Sequence, residues 1–98
     1  MVMPRIRCAF LNCHNLFPVG AAGRGPADAQ ALTQLISDLS LTLQNLFAPE
    51  LPHLIGLCEV GSLDLLRQLS RGVGPNRFQE FWSDQPRADQ TGVALLVD

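Results

Sequence analysis

Two segments of this sequence are apolar on both of their faces, and they limit the folds open to it more than anything else. In "HLIGLC" (53–58), Ile55 and Leu57 share one side while Leu54 and Cys58 share the other. In "TGVALLV" (91–97), Val93, Leu95 and Val97 stand against Ala94 and Leu96. Strands of this kind belong to sheets that are covered on both sides. The rest of the chain must therefore be read for what can do the covering.

Two helices are predicted. Asp28 is placed to cap the first, and Leu32, Leu35, Ile36, Leu39, Leu43, Leu46 and Phe47 follow at helical spacing, with only Leu41 pointing away. At about 100° per residue those seven fall within an arc of roughly 120°. Pro49 and Pro52 end that helix. Ser62 caps a shorter one carrying Leu65, Leu66 and Leu69, which ends near Gly72 and Gly74. Two further strands are expected. "RIRCAFL" (5–11) alternates, with Ile6, Cys8 and Phe10 on one face and Arg5, Arg7 and Ala9 on the other. "RFQEFWS" (77–83) is the second, followed by a polar turn through Asp84, Pro86 and Asp89. The stretch "CHNLFPVGAAGRGPA" has no periodicity and reads as a loop. The expected class is thus α/β, about four strands with two helices on one face. Nothing else in the 98 residues covers the second face, so half of a layered fold is expected.

Composition narrows the class. The chain is 47% hydrophobic and 16% charged, which excludes a disordered or fibrous chain. All seven cations are arginine, and the net charge of −2 gives no basic footprint for non-specific nucleic-acid binding. No apolar run reaches membrane-spanning length and the start lacks a signal-peptide core, so a soluble, cytoplasmic protein without a membrane partner is expected. Cys8, Cys13 and Cys58 are odd in number and lack a C-x-x-C pair, which argues against a disulfide framework. A zinc site from Cys13, His14, His53 and Cys58 competes with buried thiols and lacks finger-like spacing.

One carboxylate stands out. Glu59 follows a buried strand directly, where an unpartnered charge is costly. A structural acid there needs a partner such as Arg67 or Arg87. A functional acid there is a ligand for a hard cation, because Mg²⁺ is bound through one or two carboxylates and substrate phosphates. Asn12 has the parallel position at the end of the first strand, with an amide able to hold a water, a phosphate oxygen or a carboxylate. His14 lies close by in the loop, as a solvated side chain or a substrate contact. Arg77 and Arg87 are candidates for phosphate, or ordinary surface arginines.

"RIRCAFLNCHNLF", "LPHLIGLCEVGSLDLLRQL" and "TGVALLVD", in that order, resemble the opening half of the endonuclease/exonuclease/phosphatase family of deoxyribonuclease-like phosphodiesterases. Members open with a strand often read F-N-V-x-N-L-F, then P-D-I-I-x-L-Q-E-V between two helices, then G-V-A-L-L. The resemblance runs over residues 5–98 and rests on order and spacing rather than on any single motif. It implies a four-layer sandwich of two face-to-face sheets with helices outside, whose second sheet would cover the doubly apolar strands. It implies that Glu59 binds a catalytic Mg²⁺ (or Mn²⁺) and that Asn12 shares the site.

The chain departs from the pattern at His53, where the family has Asp, and at Cys58, where it has Gln; either can mark an inactive copy. The later Asp-x-Asn and Asp-His motifs have no counterpart here. The expectation is therefore that residues 1–98 form the N-terminal part of a single phosphoesterase domain, inactive by itself. Its substrate would be a phosphate ester, with nucleic acid, inositol phosphates, sphingomyelin and nucleotide-linked cofactors all within the family's range. The alternative is a non-enzymatic module that docks through its apolar sheet face, by self-association or against a complementing half.

Overall fold

Apolar alternation and two well-placed caps produce six main elements in the computed structural model, which describes residues 5–83 and 92–98. They are β1 (Cys8–Leu16), α1 (Ala29–Asn45), β2 (Leu54–Val60), α2 (Leu63–Val73), β3 (Gln79–Trp82) and β4 (Gly92–Val97). The expected turn residues Asp84, Pro86, Arg87 and Asp89 lie outside the described residues. Both caps form as the sequence predicts. The Asp28 carboxylate accepts from Ala31 N at 2.7 Å, and the Ser62 hydroxyl accepts from Leu65 N at 3.1 Å. No helix among the described residues is long and apolar enough to cross a membrane.

The strands form one mixed sheet in the order β1-β2-β4-β3, with β1 parallel to β2 and both β4 pairings antiparallel. The fold is α/β, with both helices on one face of this sheet. Leu39 and Leu43 of α1 join Leu65, Leu66, Leu69 and Val73 of α2 in a single core with Ala9, Ile55, Leu57, Ala94 and Leu96.

Register shows what lies on the opposite face. Phe10 pairs with Gly56, Gly56 with Leu95, and Leu95 with Phe81, so these four form one row across the whole sheet. Phe10 is 78% exposed, Phe81 52% and Leu95 41%, with Val93 beside them at 58%. An open groove of about 700 Å³ lies over this row. Among the described residues, nothing covers the apolar face expected from the sequence.

One open choice is settled and two expectations need correction. The alternation in β1 divides its faces correctly, but the helices cover the side of Ala9 and Cys13, and the bulkier Ile6 and Phe10 face outward. Small side chains at Ala9, Cys13 and Ala94 let the helices sit close to the sheet at interior packing density. Secondly, β1 does not end at residue 11 or 12. It continues to Leu16 through an irregularity, using the four steps from Asn12 to Leu16 where β2 uses two, from Cys58 to Val60. Thirdly, Leu46 is 52% exposed although it completes the helical stripe, because α1 ends at Asn45 and Leu46 is its C-cap.

Candidate functional site

The irregular ends of β1 and β2 define the site. His14 (φ 51°), Asn15 (φ 64°) and Glu59 (φ 60°) all have left-handed backbone conformations. Asparagine tolerates that region and glutamate does so at a cost. β2 also carries an extra residue against β4 between Leu57 and Val60, so Glu59 sits where a bulge re-aims the chain. Left-handed non-glycine residues concentrate where the surroundings over-determine a functional geometry. Register places Asn12, midway along β1, opposite Cys58, the residue before Glu59 in β2. Asn12 and Glu59 therefore lie on adjacent parallel strands, one residue out of register.

Arg67, one partner expected for Glu59, is exposed on α2, and Arg87, the other, lies outside the described residues. Among the described residues Glu59 faces Arg24, whose Nη2 is 3.9 Å from its Oε1. Sequence reasoning missed this residue, because a contact closed by a loop across 35 positions leaves no periodic trace. The available signal was that Arg24 is the sole charged side chain between Leu16 and Asp28.

Asn12 is exposed, and its Oδ1 accepts the His14 N–H at 2.8 Å, a local turn that fixes the start of the irregular segment. His14 is exposed, and it engages Asn12 through its backbone. Asn15 Oδ1 is buried with no hydrogen-bond partner, at the level of the Leu16–Val60 pair and hence of Glu59. A buried carbonyl oxygen without a donor is costly, and a cation or its bound water relieves it.

The cysteines divide. All three are free thiols, Cys8 exposed, Cys58 half-buried and Cys13 buried. Burial pushes the Cys13 thiol from its ordinary 9.0 up to about 12, and the nearby Cys58 and Glu59 charges add in the same direction.

The other expected ligands lie elsewhere. His53 is six residues before Glu59, roughly 20 Å along the strand, where its Nδ1 accepts from Arg7 N at 2.9 Å. The zinc set of Cys13, His14, His53 and Cys58 is therefore not assembled, and among the described residues no group of three His, Cys, Asp or Glu is placed to hold a metal. Arg77 pairs with Asp98 at 2.9 Å, at the end of the sheet away from Glu59. The side-chain oxygens of Glu59, Asn12 and Asn15 are of the hard type that suits Mg²⁺, an ion that keeps most of its water and takes phosphate ligands.

The strained backbone gives a test. Replacing Glu59 with glycine should leave stability unchanged or raise it by up to about 1 kcal/mol, because glycine adopts this conformation freely. A shift of the urea midpoint to lower denaturant would mean that the side chain holds the fold together.

No family model matches the chain, and neither a curated protein nor a solved structure shows significant similarity to it.

Proposed function

We propose that this chain carries one half of a metal-dependent phosphoesterase site of the endonuclease/exonuclease/phosphatase type. Glu59 and Asn12 serve a hard divalent cation and the phosphate it binds. The observation that carries this reading is the left-handed Glu59 near the end of β2, next to the residue that pairs with Asn12 on the adjacent parallel strand. The resemblance of the three sequence segments supports it independently. When bound, Mg²⁺ supplies charge that polarises a phosphoryl oxygen and steadies a leaving oxygen. The chain's own residues hold and orient: Glu59 offers its carboxylate, Asn12 an amide donor toward phosphate, and Asn15 a buried carbonyl oxygen. The groups that activate water belong to a complementing part of the site, and the three free thiols suit a reducing, cytoplasmic setting.

The test is Mn²⁺ binding, followed by electron paramagnetic resonance with Mg²⁺ as competitor. Glu59→Gln should weaken binding at least tenfold without lowering the unfolding midpoint. Equal affinity in the two proteins would remove the metal role.

The Phe10–Gly56–Leu95–Phe81 row favours a second reading, an interaction module that docks on another apolar sheet through this face. An exposed apolar patch of several hundred Å² marks such a surface. Docking of this kind needs no metal, so association that Glu59→Gln leaves untouched, with no Mn²⁺ bound, would select it.

A further inference from the structure

Among the described residues, Glu59 is the one position of β2 without a partner in either ladder. β1 pairs with every β2 residue from Leu54 to Val60 except Glu59, and β4 pairs with all but Cys58 and Glu59. One residue later the chain is pinned from both sides. The peptide group between Val60 and Gly61 donates its N–H to Leu16 O of β1 at 2.8 Å, and its carbonyl accepts the Trp82 Nε1–H at 2.9 Å. Trp82 belongs to β3, so its indole reaches past β4 to meet β2.

Glycines make room for this arrangement. A Cβ at Gly92 of β4 would lie 2.4 Å from Trp82 Nε1 and 2.6 Å from Val60 O, so only a residue without a side chain lets the indole cross there. On the β1 side, a Cβ at Gly61 would lie 2.6 Å from the ring of the buried Phe17. Trp82 also packs against the core, which limits where its ring can go.

A left-handed glutamate persists only where its surroundings over-determine it. Here they are the Leu57–Ala94 pair before Glu59 and the doubly bonded Val60–Gly61 peptide after it. Of these constraints the indole bond alone comes from a side chain, so one substitution can remove it and leave the backbone pairings in place. We propose that Trp82 is a positioning residue for Glu59: by holding the Val60 carbonyl it fixes the left-handed step that sets the direction of the carboxylate, and so its affinity for a divalent cation. This rests on the reading of Glu59 as a metal ligand and extends it to a residue two strands away. Groups that hold a metal ligand in place typically change affinity by about 10- to 100-fold when removed.

The experiment measures Mn²⁺ affinity of the intact protein by electron paramagnetic resonance. Unfolding midpoints are followed by circular dichroism, because Trp82 is the only tryptophan. Trp82→Phe keeps an aromatic ring and loses the N–H donor, and it should weaken Mn²⁺ binding about tenfold. Gly92→Ala, which leaves the indole in the chain but closes its seat, should do the same. Leu69→Ala removes a fully buried side chain of α2, and should lower the midpoint further yet leave the affinity of the folded protein within about twofold. Affinity unchanged in either of the first two variants, while it still depends on Glu59, would overturn this inference alone. An equal loss of affinity in Leu69→Ala would overturn it too, by making the effect one of general stability. Failure of the unaltered protein to bind Mn²⁺ would reject the reading of Glu59 as a ligand, and the role of Trp82 with it.

Discussion

Truncating Leu69 to alanine should cost about 3 kcal/mol, whereas changing Phe10 to serine should cost less than about 1 kcal/mol in this chain, although phenylalanine is the larger residue. Leu69 is fully buried on α2 between the helices and the sheet, and a cavity there has no water to fill it. Phe10 is 78% exposed on the opposite face, where its ring lies over Gly56 and most of its surface already meets solvent. With total stability on the order of 5–10 kcal/mol, the Leu69 variant should lose a large share of it. The single tryptophan is a ready reporter, since Trp82 is half-buried and its Nε1 donates to Val60 O at 2.9 Å. Urea unfolding followed by its fluorescence measures both variants. Equal losses would mean that the outward face is covered in solution. The same pair measured with a complementing partner present should show the Phe10 variant rising to several kcal/mol, because its ring would then be buried.

That contrast also marks how far the sequence could be read. The caps at Asp28 and Ser62 and the stripe through Leu39 and Leu43 specify their elements locally, so they were legible. The uncovered face was legible too, because Val93 and Leu95 cannot share a side with Ala94 and Leu96 in any strand. Which face of β1 meets the helices was not legible. Alternation fixes that Phe10 and Ala9 point apart, but the choice of inside depends on how closely α1 and α2 approach, and the small Ala9 and Cys13 won that place. The continuation of β1 to Leu16 was hidden by the polar run Asn12 to Asn15, whose left-handed residues break the two-residue period while the strand pairing resumes beyond them. Within the candidate site, Glu59 and Asn12 were visible as polar groups ending apolar runs. Arg24 was not, because its approach to Glu59 depends on a folded loop and on Phe17 wedged against Gly61.

Cys13 leads to the other large effect, at alkaline pH. Its side chain is fully buried, and its thiol is held neutral up to about 12 rather than the ordinary 9.0. Below pH 9 the folded and unfolded states both carry the proton, so the thiol adds no pH dependence. Between 9 and 12 the unfolded chain releases it while the folded chain keeps it, and stability must fall by about 1.4 kcal/mol per pH unit. Over the whole interval the loss approaches about 4 kcal/mol, comparable to the cost of a large core cavity. The composition makes this measurable. There is no tyrosine and no lysine, so neither residue type adds an alkaline titration of its own. Cys13→Ala should cost about 1–2 kcal/mol at neutral pH through lost packing, yet flatten the alkaline decline. The two stability curves should therefore cross about one pH unit above the ordinary thiol range. Urea midpoints taken from pH 8 to 11 decide it. Parallel declines in the two proteins would mean that the Cys13 thiolate reaches water when it forms.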